Sequence, residues 1–275
     1  MDSTRFSALH PEHDPARKLL TLWLDHGKAN EMGVAQLDAL DALCDELESD
    51  ESVMCLCTTS RRVSAKGRPI FISGANVTER VGWDDDRVRA HVSRQRQLMR
   101  RIRHLPLFHV VVPTGVTLGW GTEYVLTGDY AIATAAAGFA LPETGLGIVP
   151  GARGTAELAD LIGLAQAMRL GMTGEPIDAI EARRIGLVQE VVSVTDDAMA
   201  RVRTLAELVR RRSPTAIAAY KRSALASRGE PETQRLALES DAYLRTLEIG
   251  DAAIGRDSFA AIVAGETPRW SPRRT

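Results

Sequence analysis

The sequence predicts an α/β core followed by a helical C-terminal region. Three observations carry this. In the first half, apolar runs of strand length alternate with amphipathic stretches. From Ala156 onward the pattern turns mostly helical, with only Leu187–Val192 interrupting it as a strand. Between the two regimes, three glycine-containing junctions follow predicted strands: 72–76, 117–123 and 142–154.

Taken in order, KLLTLWLD at 18–25 reads as a strand, and 34–48 has the spacing of a helix. Strands follow at 53–59, 70–73, 108–116, 129–134 and 138–141, where β-branched and aromatic residues gather between turn residues. Residues 87–103 read as an amphipathic helix. Arg89, Arg96, Arg100 and Arg103 fall on one face, and Val88, Val92, Gln95, Met99 and Ile102 on another. Beyond the glycine junctions, helices are expected near 164–171, 178–185, 196–212, 214–226, 231–249 and 251–264. The tail after Gly265, rich in proline and arginine, is expected to be extended. The expected organisation is a core at 1–195 and a helical region at 196–275 that serves packing and oligomerisation.

Composition narrows the function. The chain has 275 residues, 44% of them hydrophobic and 25% charged, enough to bury a substantial core. A formal charge of −2 gives no overall attraction to nucleic acid or anionic membrane, so the seven arginines at 87–103 are expected to be a solvated face with acid partners nearby. No apolar run approaches the ~20 residues that span a bilayer, and no signal-peptide core opens the chain. A cytoplasmic protein is expected. The three cysteines, Cys44, Cys55 and Cys57, are expected as core residues in a reducing compartment, and the six histidines lack metal-ligand spacing, so no metal is expected.

The glycine junctions are where chemistry can sit. Glycine permits tight turns, and a helix starting just after one presents unpaired N–H groups and a positive dipole end. Two such ends can polarise a single carbonyl oxygen. The pattern Gly115, Gly119, Gly121 does not match the dinucleotide spacing, because position 124 is tyrosine; no phosphate-binding P-loop and no GxSxG elbow occur. Taken alone, Glu123 is an acid favoured at a helix start and Glu143 a solvated turn residue.

Three ordered segments change that reading. FISGANVTER at 71–80, GVTLGWGTEYVLTGDYAIA at 115–133 and FALPETGLGIVPGARGT at 139–155 resemble the three signature segments of the enoyl-CoA hydratase/isomerase (crotonase) superfamily, and KANEM at 28–32 and TGEPIDAIEARRIGLVQEVV at 173–192 agree with its flanks. The resemblance implies a crotonase-like spiral of strand-strand-helix repeats with a helical C-terminal region, assembled as a trimer or a dimer of trimers. It implies that the backbone N–H groups of Ala75 and Trp120 hold a thioester carbonyl as an oxyanion hole, and that Glu123 and Glu143 are an acid/base pair adding water to a 2-enoyl thioester. It implies that Lys28, Ala29, Ser73, Gly74, Asn76, Val77 and Gly119 contact substrate. Coenzyme A then enters as part of an acyl-CoA (or acyl-carrier) substrate, with no permanently bound cofactor. A double-bond isomerase, a decarboxylase or carbon-carbon hydrolase on the same scaffold, and an RNA-binding relative are the alternatives.

The departures are as informative. Trp120 replaces the middle glycine of a GGG run, and its indole is expected to reshape the acyl pocket. Asn76 stands where aspartate is usual, Glu31 where alanine is common, and Arg153 interrupts the third glycine cluster.

Overall fold

A computed structural model describes residue 6 and residues 9–273. In chain order the elements are β1 (Pro11–Asp14), β2 (Leu19–Leu24), α1 (Val34–Ser49), β3 (Cys55–Ser60), β4 (Ile70–Ile72), α2 (Asp85–Arg103), β5 (Phe108–Val111), β6 (Val116–Leu118), α3 (Trp120–Val125), β7 (Tyr130–Thr134) and β8 (Gly138–Ala140). Then come α4 (Gly154–Ile162), α5 (Leu164–Thr173), β9 (Ile177–Asp178), α6 (Ala179–Arg184), β10 (Glu190–Val192), α7 (Thr195–Val209), α8 (Pro214–Ala226), α9 (Glu232–Glu248), α10 (Asp251–Asp257) and α11 (Phe259–Val263).

The strands form two sheets. One runs β1-β2-β3-β5-β7-β10, parallel except for β1; the other runs β4-β6-β8-β9, parallel except for β9. The expected strand at 108–116 is in fact two, because the chain turns a corner at Pro113–Gly115 and changes sheet. Proline cannot donate to a ladder. At Gly115 any Cβ would sit 2.0 Å from the carbonyl oxygen of Pro69, so only glycine lets the two corners nest. The moves from β3 to β4 and from β7 to β8 repeat this corner. Each turn of the chain therefore lays one strand in each sheet and then a helix or helical turn, which is the strand-strand-helix spiral.

Alternation along β3 explains how both faces are filled. Leu56 faces the main core with residues of α1, β2 and β4, whereas Cys55 and Cys57 face the opposite way, against Met199, Val202 and Ala206 of α7. The cysteines are free and buried, and burial pushes the Cys44 and Cys55 thiols up to about 12. The expected helix at 251–264 is broken at Ser258 into α10 and α11. The short strands β1 and β9 and the helix α4 have no counterpart in the sequence reading.

The C-terminal region is tied to the core by buried charges. Lys221 of α8 reaches Asp129 (2.7 Å) and the Leu107 carbonyl (3.0 Å), and Arg103 meets Asp129 from α2 (3.0 Å). Residues 266–273 of the tail lack regular structure yet are anchored, and the last two residues of the expected extended tail lie outside the described residues. Arg273 donates to the carbonyls of Leu47 (2.9 Å) and Asp50 (2.8 Å), satisfying groups at the open C-terminal end of α1, and to that of Pro106 (3.0 Å) between α2 and β5. The arginines of α2 find acid partners on α1: Arg94 with Asp38, and Arg101 with Asp41, Asp45 and Glu48. Among the described residues no helix is long and apolar enough to cross a membrane.

Candidate active site

The site is built where β4, β6 and β8 end side by side. Past β4 the chain enters Ser73–Val77; past β6 it enters Gly119 and α3. Gly74 and Gly119 adopt φ of 121° and 52°, which glycine tolerates and other residues resist. Gly121 allows α3 to lie against β4, since a Cβ there would fall 2.2 Å from the Ile72 carbonyl oxygen. These constraints fix where the first turn of α3 sits. Trp120 is its first residue, so its backbone N–H has no intrahelical acceptor. Among the described residues neither the Ala75 nor the Trp120 N–H has a backbone acceptor.

The early segment is stitched to the β4 loop. Ser73 N–H donates to the Ala29 carbonyl (3.2 Å), Met32 N–H to Gly74 (2.9 Å), and Asn76 N–H to Met32 (2.8 Å). Asn30, wholly buried with φ of 53°, directs its side-chain amide to Ser60 Oγ (2.9 Å) and the Phe71 carbonyl (2.8 Å), while its Oδ1 accepts from His26 N–H (2.9 Å). It thereby holds the ends of β3 and β4 in place beneath the loop. Ala29, Ser73, Gly74, Ala75 and Asn76 are thus brought together, and Gly119 with Trp120, Glu123 and Glu143. Asn76 Oδ1 takes the Thr78 hydroxyl (2.7 Å), so this side chain is spent on the turn. Lys28 and Val77 are exposed at the margin.

Two carboxyl groups are buried at the centre. Glu123, 2% exposed, sits in the first turn of α3. Its Oε1 accepts from the N–H groups of Ala152 and Gly154, both at 2.7 Å. Gly154 must be glycine for this, because a Cβ would lie 2.8 Å from that oxygen. Glu143 lies in the 3-10 turn Pro142–Leu146. Its Oε1 is packed over Gly119, only 2.5 Å from where a Cβ would be, and its Oε2 is buried with no hydrogen-bond partner among the described residues. Burial raises Glu123 to about 7; the Gly154 and Ala152 N–H groups oppose this and the nearby Glu143 charge adds to it. Burial also raises Glu143. Both carboxyls are therefore shifted towards the protonated form, Glu123 as far as about 7.

The Trp120 indole differs from the expectation. It is 1% exposed and turned into the core, with Nε1–H on Met99 Sδ of α2 at 3.1 Å. Only the backbone of residue 120 faces the junction. Sequence reasoning also passed over the Ala152 and Gly154 clamp and the staple formed by Asn30. The glycine at 154 is the one signal in the sequence that hints at the clamp. No group of three or more His, Cys, Asp or Glu among the described residues is placed to hold a metal ion.

The sequence profile of the enoyl-CoA hydratase/isomerase family matches residues 37–263. The chain is 32% identical over 231 residues to a putative enoyl-CoA hydratase/isomerase of Bacillus subtilis, covering 84% of this chain and 86% of that one. It is 30% identical over 227 residues to a short-chain-enoyl-CoA hydratase of Clostridium acetobutylicum, covering 82% and 85%. Among solved structures, the enoyl-CoA hydratase from Bacillus anthracis superposes with a TM-score of 0.84 at 29% identity, covering 93% of this chain and 96% of that one. DspI of Pseudomonas aeruginosa superposes with a TM-score of 0.86 at 28% identity, covering 96% and 97%.

Proposed function

Because the chain belongs to the enoyl-CoA hydratase/isomerase family, we propose that it adds water to the double bond of a 2-enoyl coenzyme A thioester. The observation that carries this reading is the pair of buried carboxyls around Gly119, both shifted towards the protonated form. The thioester carbonyl oxygen accepts from the Ala75 and Trp120 N–H groups, each contributing about 3 kcal/mol as the oxygen becomes an enolate. Ionised Glu123 takes a proton from water while the water oxygen bonds to the β-carbon. The double-bond electrons move onto the thioester as enolate, and protonated Glu143 then gives its proton to the α-carbon. One water is consumed, and a proton passing from Glu123 back to Glu143 resets the pair. Double-bond migration needs a single carboxyl to carry a proton between carbons, so two favour hydration.

Coenzyme A is recognised as part of the substrate, along Lys28, Ala29, Ser73, Gly74, Asn76, Val77 and Gly119, with no resident cofactor. Hydration followed by the loss of the conjugated enoyl-thioester absorbance tests the reading. Glu123→Gln and Glu143→Gln should each lose on the order of 100-fold or more in turnover. If Glu123→Gln kept α-proton exchange and double-bond migration at wild-type rates, the isomerase reading would replace this one.

The working unit is proposed to be a trimer or a dimer of trimers. Leu146, Ile148, Val149, Leu164, Met168 and Met172 are exposed around the Pro142–Leu146 turn and α5, and α9 buries none of its side chains. Light scattering that finds a stable monomer at micromolar concentration would refute this. The free, buried cysteines favour a reducing, cytoplasmic setting, which fractionation with membranes would contradict.

A further inference from the structure

Just beyond the Ala75 loop, half-buried Arg80 and buried His91 carry buried nitrogens without a hydrogen-bond partner among the described residues. Arg80 ends the 3-10 turn Thr78–Arg80, and its Nε and Nη2 are both buried with no hydrogen-bond partner among the described residues. His91 of α2 is 8% exposed and its Nε2 is likewise buried and unpartnered; its ring stands edge-on to Trp83 at 5.2 Å. The neighbouring acid does not serve Arg80's buried edge by hydrogen bond. Glu79 instead accepts from the Val34 N–H at the start of α1 (3.1 and 3.3 Å). Burial and the Arg80 charge lower the His91 pKa, so His91 stays a neutral imidazole.

The helix that carries His91 also reaches the segment that holds Glu123. His91, Gln95 and Met99 are buried at four-residue spacing on one face of α2, and Met99 takes the Trp120 indole N–H. On the same helix, Arg96 donates to the Gly151 carbonyl (2.8 Å), next to the Ala152 N–H that holds Glu123. From His91 to Met99 the helix rises about 12 Å. Arg80 itself lies five residues past Ala75, so the cluster follows directly on the loop that carries one of the two N–H groups.

Leaving guanidinium donors buried and unpaired is costly, so the protein retains them for an acceptor that arrives from outside. Nε and Nη2 form one edge of the planar guanidinium, and that edge matches the two oxygens of a carboxylate. We infer that Arg80 and His91 form an acyl-tail subsite that selects thioesters whose acyl chain ends in a carboxylate. This rests on the reading of Glu123 and Glu143 as a thioester site, and deepens it by naming the substrate class.

The test uses saturated coenzyme A thioesters in matched pairs, ending in methyl or in carboxylate, over a stepped series of chain lengths. Binding is measured by calorimetry on the full chain, and hydration is measured with the corresponding enoyl thioesters. The expected result is a preference of about tenfold or more for the carboxylate at one length, which collapses towards parity in Arg80→Met and is partly kept in Arg80→Lys. The Arg80→Met variant should melt no lower than the wild type, since it removes a buried donor edge without a partner. Absence of any carboxylate preference at every length would overturn the inference. An equal loss of affinity for both members of each pair would also overturn it, placing Arg80 on the coenzyme phosphates. Selective binding without hydration of either class would leave the subsite standing and refute the hydratase reading instead.

Discussion

Replacing Glu123 with glutamine should make the protein more stable at pH 8 while removing its activity. Burial lifts this carboxyl from 4.5 to about 7, so the folded state binds its proton more tightly than the unfolded state does. Between those two values the folded chain carries more protons, and stability therefore falls as pH rises through the window. Above about pH 7 the cost levels off at about 3 kcal/mol, the free energy equivalent of the shift. Glutamine is neutral at every pH, and its side-chain oxygen can still accept from the Ala152 and Gly154 N–H groups. The advantage of Glu123→Gln should thus grow from about 1 kcal/mol at pH 5 to about 3 kcal/mol at pH 8. Urea unfolding of both proteins at the two pH values, at one fixed protein concentration, reads this directly. A gap that stays the same between pH 5 and pH 8, or a variant that is the weaker protein at pH 8, would show that burial does not hold a proton on Glu123. The acid/base roles proposed for the carboxyl pair would fall with it.

Trp120→Gly should keep the backbone donor but lose about 3 to 5 kcal/mol of stability, because the indole is packed in the core against Met99. Per folded molecule, activity on the native substrate should drop only modestly and bulkier acyl chains should improve; a folded variant inactive on every chain would give the indole a direct positioning role. Arg273→Ala should cost about 2 kcal/mol, since it frees the carbonyls of Leu47, Asp50 and Pro106 that the guanidinium now satisfies. An unchanged urea midpoint would mean that the tail contributes nothing to holding α1.

What could be read from sequence is what the backbone dictates locally. Gly119, Gly121 and Gly154 sit where another chain segment or a carboxyl oxygen comes too close for a Cβ, so the junctions announce themselves, and the carboxyls at 123 and 143 follow from their fixed separation from those glycines. The alternation of Cys55, Leu56 and Cys57 foretold a buried strand because both of its faces are covered. The break at Pro113–Gly115 was hidden because both halves of 108–116 are apolar, and hydrophobicity alone does not say which sheet a strand joins. Asn30 and Arg273 were hidden for a different reason. Their acceptors lie up to 41 and 226 residues away in sequence, and no local period records such a contact.

The direction of a side chain is equally absent from sequence, and here it reverses the apparent importance of two positions. Trp120 looks like the main departure from the signature, yet its indole leaves the junction and only its N–H faces it. Arg80 sits unremarked at the end of FISGANVTER, although its buried edge points to no partner of its own. A change at a site matters through the atoms it places there. By that measure the substitution at 120 leaves the backbone N–H at the junction in place, and the proposed choice of acyl group rests on Arg80 and His91.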